Sequence, residues 1–348
     1  MKTVSVSASG TYDIVIGSGV LSMLSQQMKS LKKVKKICIV SDSHVYPLWG
    51  KQTESLLADW QVCSFVFPAG EQSKNGSTYL QLLNFLAQNQ LTRSDCLVAL
   101  GGGVVGDLTG FAAATYLRGI SFIQIPTSLL AMVDSSVGGK TAIDLEAGKN
   151  LAGAFYQPEL VLCDLELLST LPQEIFLDGC AEIIKYGILY DPALFSHLQE
   201  KGPSFDRENV ICRSVELKRD VVEQDEFDLG LRMKLNLGHT VGHGVEAASH
   251  FGISHGKGVA IGTAIVARSA AAAGLLSSDD CQKILSTISQ FHLPIHTDFD
   301  AETLADYALS DKKRSGNFVS LIVPRAIGRC DVMPTPVDQL NAFIKAGL

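Results

Sequence analysis

The stretch of sequence that decides the fold is CLVALGGGVVGDLTGFAAA, at residues 96–114. The apolar run CLVAL predicts a buried strand, the three glycines after it predict a tight turn, and the small and apolar residues that follow predict a helix. A strand joined to a helix by so short a turn is typical of a parallel sheet whose faces are covered by helices. This stretch therefore predicts one strand–helix unit of an α/β domain.

The glycine turn is also a candidate nucleotide site. Gly101, Gly103 and Gly106 match the pattern G-x-G-x-x-G, in which backbone N–H groups and a helix N-terminus approach a phosphate. The context differs from the usual fingerprint, because the turn follows a late strand and no acidic residue stands about 20 residues further on. Asp42, at the end of an earlier predicted strand, could hold a ribose instead. The alternative is that the glycines serve only a tight turn and close helix–sheet packing.

The sequence on either side continues the alternation of strands and helices up to about residue 160. The runs that predict strands are VSVSASGTYDIVIG (4–17), KICIVSD (36–42), CSFVFPAG (63–70) and ISFIQIPT (120–127). Beyond residue 160 the patterns are long and helical, with one strand-like run at 318–328. We therefore expect an α/β N-terminal domain with a parallel sheet at residues 1–160 and a mainly α-helical C-terminal domain at 161–348, with ligands bound in a cleft between them.

Composition and charge restrict the class of protein. The 348 residues suit about two domains, and 46% hydrophobic residues predict a large core rather than disorder. The net charge of −7 gives no basic footprint for nucleic acid. No signal peptide or membrane span is recognisable, so a cytoplasmic protein is expected. The eight cysteines form no C-x-x-C pair and mostly lie in apolar runs, which predicts reduced, buried thiols.

Three histidines and one glutamate are candidate metal ligands. His239 and His243 are four residues apart and therefore share one face of a predicted helix, and His255 opens the next segment. Glu182 lies in another helical run. A carboxylate with two imidazoles is a ligand set of catalytic zinc sites, and spacing alone favours the pair His239 and His243. The alternative is that the histidines are ordinary core or surface residues.

Basic residues among small ones suggest an anion site. The segment VDSSVGGKTAIDLEAGKN (133–150) contains Asp134, Lys140, Lys149 and Asn150, and its lysines suit a phosphate unless they belong to a solvated loop. Arg232 and Asn236 precede the histidine helix. If that helix extends back to Arg232, the guanidinium shares the face of His239 and can grip a carboxylate through two hydrogen bonds. The alternative is a surface arginine at a helix end.

Several of these segments together resemble the 3-dehydroquinate synthase family of sugar-phosphate cyclases over nearly the whole chain. The most specific stretches are GEQSK (70–74), ALGGGVVGDLTGFAAATYLRG (99–119), QIPTSLLAMVDSSVGGKTAID (124–144), GKNLAGAFYQP (148–158), AEIIKYG (181–187), LNLGHTVGHGVE (235–246) and SHGKGVAIG (254–262). The resemblance implies an α/β N-terminal Rossmann-like domain plus a mainly α-helical C-terminal domain, NAD, one divalent metal (zinc or cobalt) and a homodimer.

The resemblance also implies roles for individual residues. The metal ligands would be Glu182, His239 and His255, which displaces the choice that spacing alone favoured. The NAD-binding positions would be Asp42, Glu71, Lys74, Gly102, Gly103, Asp107, Thr127, Ser128, Asp134, Lys140, Lys149 and Thr170. The substrate-binding positions would be Arg118, Lys140, Asn150, Lys218, Arg232, Asn236, His243 and Lys312, with Arg118 reaching the neighbouring subunit and with Lys313 competing for the role of Lys312. The catalytic positions would be Lys185, Asp134, His243 and Lys140.

The implied reaction converts 3-deoxy-D-arabino-heptulosonate 7-phosphate to 3-dehydroquinate and phosphate, in the shikimate pathway of aromatic amino-acid biosynthesis. Transient oxidation at C5 would be followed by phosphate elimination, reduction, ring opening and aldol closure. The alternatives are a sister sugar-phosphate cyclase, which would use a substrate without the carboxylate, and a metal-dependent alcohol or glycerol dehydrogenase, which would release NADH. A catalytically dead binding protein is a further alternative, disfavoured by the intact set of candidate residues.

Overall fold

The chain forms two compact units in a computed structural model that describes residues 1–31, 33–310, 314–315 and 317–348. The first unit comprises Met1–Pro172 and Arg207–Phe227, and the second comprises Gln173–Asp206 and Asp228–Leu348. The segment 207–227 therefore returns to the first unit after the second has begun. The domain boundary expected near residue 160 stays a prediction.

The first unit is built on a seven-stranded sheet of order β1-β2-β9-β6-β5-β3-β4. Its strands are β1 (Lys2–Ser7), β2 (Thr11–Gly17), β3 (Lys36–Asp42), β4 (Gln61–Phe67), β5 (Cys96–Gly101), β6 (Ser121–Pro126) and β9 (Leu160–Asp164). Only the β1–β2 pair is antiparallel, whereas the other five pairs are parallel. All six residues of β5 are buried, as expected for a strand covered on both faces.

The strand order reverses between β3 and β5. From β3 the chain passes outward to β4 at the edge and then returns to the other side of β3 as β5. In open α/β sheets such a reversal leaves a crevice at the carboxyl ends of the two strands, where ligands bind. These ends carry Asp42 and the glycine turn, and Ser41 on β3 donates to the carbonyl of Leu100 on β5 at 2.7 Å.

Helices and a hairpin complete the first unit. The helices are α1 (Leu24–Ser30), α2 (Lys51–Leu56), α3 (Gly76–Gln88), α4 (Gly103–Thr115) and α7 (Arg207–Gln224), and the hairpin joins β7 (Lys140–Leu145) to β8 (Gly148–Phe155). The α4 helix packs on β5, β6 and β7, whereas α7 packs on β1 and β2. The core between α4 and the sheet includes Leu97, Leu108 and Phe122, each with no exposed surface.

The second unit is mainly helical. Its helices are α5 (Gln173–Tyr190), α6 (Pro192–Lys201), α8 (His239–Ala248), α9 (His255–Ala272), α10 (Ser278–Gln290), α11 (Ala301–Ser310) and α12 (Val337–Gly347), and its strands are β10 (Arg314–Ser315), β11 (Phe318–Ala326) and β12 (Arg329–Pro336). The central helix α9 packs against α5, α8, α10 and α12. Glycines near the start of α8 and α9 allow these two helices to approach each other closely. A Cβ on Gly242 of α8 would lie 2.6 Å from the carbonyl oxygen of Gly258 of α9.

The sequence-based expectation of an α/β part followed by a mainly helical part is confirmed. All eight cysteines are free thiols, and seven of them are buried. In the described part of the chain, no helix is long and apolar enough to cross a membrane.

One expectation about the histidine helix is wrong. The α8 helix begins at His239, and the segment Leu231–Asn236 is a separate 3-10 helix. Leu237 is extended (ψ 126) and Gly238 is left-handed (φ 77), so the backbone cannot continue helically between Arg232 and His239. The two side chains therefore do not share one helix face.

Candidate functional site

A cluster of three metal-type ligands lies inside the second unit. Glu182 comes from the middle of α5, His239 is the first residue of α8, and His255 is the first residue of α9. One donor atom from each of the three side chains lies within 4.8 Å of the others. The Nε2 atoms of both histidines are 3.5 Å from Oε1 of Glu182. Three helices therefore bring one carboxylate and two imidazoles to a common point.

The second nitrogen of each imidazole has an oxygen partner. Nδ1 of His239 lies 3.1 Å from the carbonyl oxygen of Leu237, and Nδ1 of His255 lies 3.0 Å from Oε1 of Glu246. Because these oxygens accept hydrogen bonds, each Nδ1 carries the proton and donates it. Each Nε2 then faces Glu182 and is the nitrogen that binds a cation once it carries no proton, as in metal-binding imidazoles. The donor set thus fits a divalent cation of the zinc type with open coordination positions.

The electrostatics of the cluster also favour a cation. Burial alone would lower the pKa of His255, but hydrogen bonds and charge from Glu182 and Glu246 raise that pKa to about 10. Glu182 has no exposed surface and forms an ion pair with Lys185, which lies one turn further along α5 and is also buried. Two buried carboxylates thus concentrate negative potential around the histidines, and Lys185 adds an ammonium beside Glu182.

His243 lies next to this cluster on α8. Its ring centroid is 5.4 Å from that of His239 and 6.1 Å from that of His255. A second group of donor atoms, from His243, Glu246 and His255, also lies within 4.8 Å. The helical spacing of His239 and His243 therefore does bring both rings together, but the group that contains Glu182 is completed by His255 from the next helix.

In the first unit, packing explains some glycines of the turn and not others. A Cβ on Gly101 would lie 2.4 Å from Cγ2 of Val105, and a Cβ on Gly106 would lie 2.9 Å from Oε1 of Gln124 on β6. These two glycines are required for the tight turn and for helix–sheet packing. A Cβ on Gly102 would meet nothing closer than Oγ of Ser128 at 3.5 Å. Gly102 and the N-terminus of α4 therefore leave space at the end of β5.

Several predicted cofactor residues border that turn. Thr127 donates its backbone N–H to the carbonyl of Gly101 at 3.0 Å, and Ser128 lies over Gly102. Asp42 ends the neighbouring strand, and its Oδ1 accepts from the backbone N–H groups of His44 and Val45 at 2.8 and 2.9 Å. These bonds fix the Asp42 side chain at the reversal point of the sheet. Farther along, Oγ1 of Thr170 accepts from the indole N–H of Trp49 at 3.0 Å.

Lys74 is the buried centre of a charge cluster in the first unit. Its Nζ lies 3.0 Å from Glu71, 3.1 Å from Asp107 and 3.9 Å from Asp144. The amide oxygen of Asn150 accepts from the same Nζ at 2.8 Å. The structure thus gathers four residues expected from the sequence, Glu71, Lys74, Asp107 and Asn150, and adds Asp144.

The charges in this cluster shift one another's pKa values. Burial raises the pKa of Asp107, attraction to Lys74 lowers it, and the balance is about 6. Burial lowers the pKa of Lys74, but Asp107, Glu71 and Asp144 together raise it well above its usual value. Asp144, at an irregularity of the β7–β8 register, also accepts from the backbone N–H of Asn150 at 2.8 Å. Asn150 is held in a left-handed conformation (φ 55). Asp144 was missed from the sequence because the hairpin that brings it to Lys74 is not visible in the residue pattern.

The other predicted site residues lie in several places. Lys218 on α7 contacts Asp134 in the first unit. Lys140 begins β7, and Lys149 lies beside Asn150 on β8. Arg118 follows Leu117 in a turn where both residues are left-handed, with φ values of 66 and 52. In the second unit Arg232 is buried, and the amide of Asn236 donates to the carbonyl of Met233 within the same 3-10 segment. Lys312 and Lys313 lie outside the described residues.

A parallel sheet with a glycine turn at its reversal point, together with a helical unit that carries a Glu–His–His cluster, defines a class of metal-dependent α/β enzymes. Within it, the chain belongs to the 3-dehydroquinate synthase family, because the N-terminal family pattern matches residues 64–178 and the C-terminal one matches residues 179–314. A 3-dehydroquinate synthase from Pelobacter propionicus is 44% identical over 95% of both chains.

Solved structures of similar proteins agree with this assignment. The chain superposes with a TM-score of 0.88 on a 2-epi-5-epi-valiolone synthase from Streptomyces hygroscopicus, solved with NAD+ and Zn2+, which is 26% identical over 98% of both chains. A 2-deoxy-scyllo-inosose synthase, solved with carbaglucose-6-phosphate, NAD+ and Co2+, has a TM-score of 0.90 over 100% of both chains at 24% identity. At 24% identity, the similarity to the 2-deoxy-scyllo-inosose synthase shows a shared fold.

Proposed function

We propose that the protein converts 3-deoxy-D-arabino-heptulosonate 7-phosphate to 3-dehydroquinate and phosphate, as a lyase of the shikimate pathway, with NAD and one divalent cation, zinc or cobalt. The observation that carries the proposal is the convergence of Glu182, His239 and His255 with both Nδ1 atoms already hydrogen-bonded. Membership of the family supports the reaction, and the NAD+ and Zn2+ in the 2-epi-5-epi-valiolone synthase structure support the cofactors.

When bound, NAD supplies reversible oxidation of the C5 hydroxyl and the cation polarises that oxygen. In the first unit, the open space at Gly102 and the N-terminus of α4 suit the cofactor's pyrophosphate, and Asp42 suits a ribose. The proposed NAD contacts are completed by the residues that border the turn and the Lys74 cluster, which are Glu71, Lys74, Gly103, Asp107, Thr127, Ser128, Asp134, Lys140, Lys149 and Thr170.

The remaining residues are assigned to the substrate. The family resemblance assigns Lys140, Asn150, Asn236 and His243 to the phosphate. The phosphate itself would take up the proton lost from C6 as it leaves. Lys185, held beside Glu182, would donate to a substrate hydroxyl and move its proton.

The substrate's carboxylate distinguishes this function from that of a sister cyclase. Lys218 and Arg232 are proposed as its partners, since both are buried cations and an arginine grips a carboxylate through two parallel bonds. We also propose a cytoplasmic homodimer, in which Arg118 acts in the neighbouring subunit. Lys312 is proposed as a further substrate residue from the family resemblance alone.

The test is to supply the sugar-acid phosphate with the metal-loaded protein and an amount of NAD well below that of the substrate. We expect the release of one phosphate per substrate molecule, with no net rise in the absorbance of NADH during the reaction. Net accumulation of NADH would favour a dehydrogenase. Faster turnover of a heptulose phosphate without the carboxylate would favour a sister cyclase.

A further inference from the structure

We propose that Asp178 and Glu246 are positioning residues that fix the third metal ligand, His255, before any cation binds. Asp178 holds the backbone at the start of α9, and Glu246 holds the imidazole ring. The inference rests on the proposed metal site and adds to it two carboxylates that act through His255.

Asp178 lies on α5, one turn before the ligand Glu182. Its Oδ2 accepts from the backbone N–H of Gly256 at 3.1 Å, and its Oδ1 accepts from the backbone N–H of Lys257 at 2.9 Å. Oγ of Ser254 donates to the same Oδ1 at 2.5 Å. These backbone groups belong to the first turn of α9, where N–H groups have no partner within their own helix.

The cap on α9 is therefore supplied by another helix. Ser254 occupies the N-cap position, but its side chain makes no capping bond to α9. The two helices approach so closely that a Cβ on Gly256 would lie 2.0 Å from the carbonyl oxygen of Asp178. Since His255 is the first residue of α9, the backbone that carries its ring is tied to the helix that carries Glu182.

Glu246 plays the corresponding part for the ring. It lies on α8, seven residues and about two turns after His239, and is only 3% exposed. Its Oε1 accepts from Nδ1 of His255 at 3.0 Å. A Cβ on Gly258 would lie 3.0 Å from Cγ of Glu246, so the side chain is packed tightly against α9. Both its hydrogen bond and its packing restrict rotation of the His255 ring.

The two helices that contribute the other ligands thus each contribute a carboxylate that holds His255. Fixing both the backbone and the ring removes the freedom that a cation would otherwise have to restrict on binding. A hydrogen-bonded carboxylate behind a ligand imidazole typically raises metal affinity by about 10–100-fold. The same gain is expected here for Glu246, with a smaller one for Asp178.

The experiment compares four variants of the full chain, prepared free of metal and measured without NAD or substrate. Glu246→Leu and Asp178→Ala remove the contacts, and Glu246→Gln keeps an acceptor oxygen of the same shape. The matched control is Glu174→Gln, which removes an exposed ion pair with Lys257 between the same two helices, α5 and α9. Zinc affinity is measured by competition with a chelating indicator, and the ligand geometry is followed through the visible spectrum of the Co2+ form.

We expect Glu246→Leu to weaken zinc affinity by about 10–100-fold and to alter the Co2+ spectrum. Asp178→Ala should weaken it by about 3–10-fold, on the order of half that effect on a logarithmic scale. Glu246→Gln should recover most of the loss, and Glu174→Gln should match the unaltered protein. Thermal unfolding of the metal-free variants identifies any that do not fold. If Glu246→Leu or Asp178→Ala does not fold, the test uses Glu246→Gln and Asp178→Asn instead, and each should show a smaller loss of zinc affinity.

Unchanged zinc affinity and an unchanged Co2+ spectrum in the folded Glu246 and Asp178 variants would overturn this inference and leave the metal site intact. Failure of the unaltered protein to bind zinc or cobalt would instead overturn the metal site and the proposed function with it.

Discussion

Lys218 donates to Asp134 twice, to the side-chain Oδ1 at 2.8 Å and to the backbone carbonyl at 2.5 Å. The ammonium belongs to α7, and the acceptor belongs to the turn Ala131–Ser135 of the same unit. The lysine proposed to receive the substrate's carboxylate is thus already oriented by an aspartate.

Replacing Lys218 with Met should lower kcat/KM for the sugar-acid phosphate by roughly 30-fold or more, because a buried charge-assisted contact contributes about 2–5 kcal/mol. Metal content should not change. Steady-state kinetics on substrates with and without the carboxylate provide the check. An equal loss on both substrates would mean that Lys218 acts through Asp134 rather than on the carboxylate.

The ligand assignment predicts opposite results for two neighbouring histidines. His255→Ala should lose most of its bound metal, because one of three protein ligands is removed. His243→Ala should keep its metal yet lose activity, because its proposed partner is the substrate's phosphate. Elemental analysis after dialysis measures the metal content of the two variants, and a steady-state assay measures their activity. Full metal occupancy in His255→Ala would refute the assignment.

Asp107 should make stability depend on pH. Its pKa in the folded chain, about 6, lies above the ordinary value, so the folded state retains a proton that the unfolded state loses between pH 4 and pH 6. The ionised Asp107 carboxylate therefore destabilises the folded state most above pH 6. The unfolding free energy of Asp107→Asn is measured without NAD and compared with that of the unaltered protein. Its advantage over the unaltered protein should grow by about 1–3 kcal/mol as the pH rises from 4 to 7.

Urea unfolding at several pH values measures that difference. The charged groups facing Asp107 are Lys74, Glu71 and Asp144, and they remain in both proteins. Parallel stability curves from pH 4 to pH 7 would show that Asp107 ionises normally in the folded chain.

Asp42 allows cofactor binding to be separated from local folding. Its Oδ1 accepts from two backbone N–H groups, so Asp42→Ala should weaken both that turn and NAD binding. Asp42→Asn retains a capping oxygen and should preserve the turn, yet a neutral amide should still bind a ribose hydroxyl less well. Calorimetric titration with NAD should show the highest affinity for the unaltered protein, a lower affinity for Asp42→Asn and the lowest for Asp42→Ala. Equal affinities would remove Asp42 from the cofactor site.

The proposed dimer predicts complementation between two inactive chains. Arg118→Ala and Lys140→Ala chains should each be inactive alone, whereas a mixed dimer should contain one intact site if Arg118 acts across the interface. Co-expression with two different tags isolates that mixed species for assay. Inactive mixed dimers would place Arg118 in its own subunit's site.

The sequence predicted most of the fold because its signals are local. Strands such as Cys96–Gly101 are continuous apolar runs between turn residues, and helices such as Arg207–Gln224 show the expected periodicity. Contacts between distant segments were not predictable in the same way. Glu246 binds the ring of His255 and Asp178 binds the backbone just after it, and these two residues come from two other helices. Asp144 reaches Lys74 through a hairpin irregularity.

The candidate site shows the same limit. Helical spacing brought together His239 and His243, but the packing of α9 against α8 and α5 is needed to place His255 beside Glu182. The wrong extension of α8 back to Arg232 arose because a left-handed Gly238 leaves no trace in periodicity. Only the resemblance to a family grouped Glu182, His239 and His255 before the structure brought the three side chains together.

The return of α7 to the first unit has a consequence for synthesis on the ribosome. The last strand of the sheet, β9, ends at Asp164, yet β1 packs against α7, and Ser7 and Ser9 donate to Glu223 and Glu226. The nascent chain must therefore wait until residue 227 has emerged before that face of β1 is covered. A fragment that stops at Pro172 would carry all seven strands and still lack the helix that covers β1.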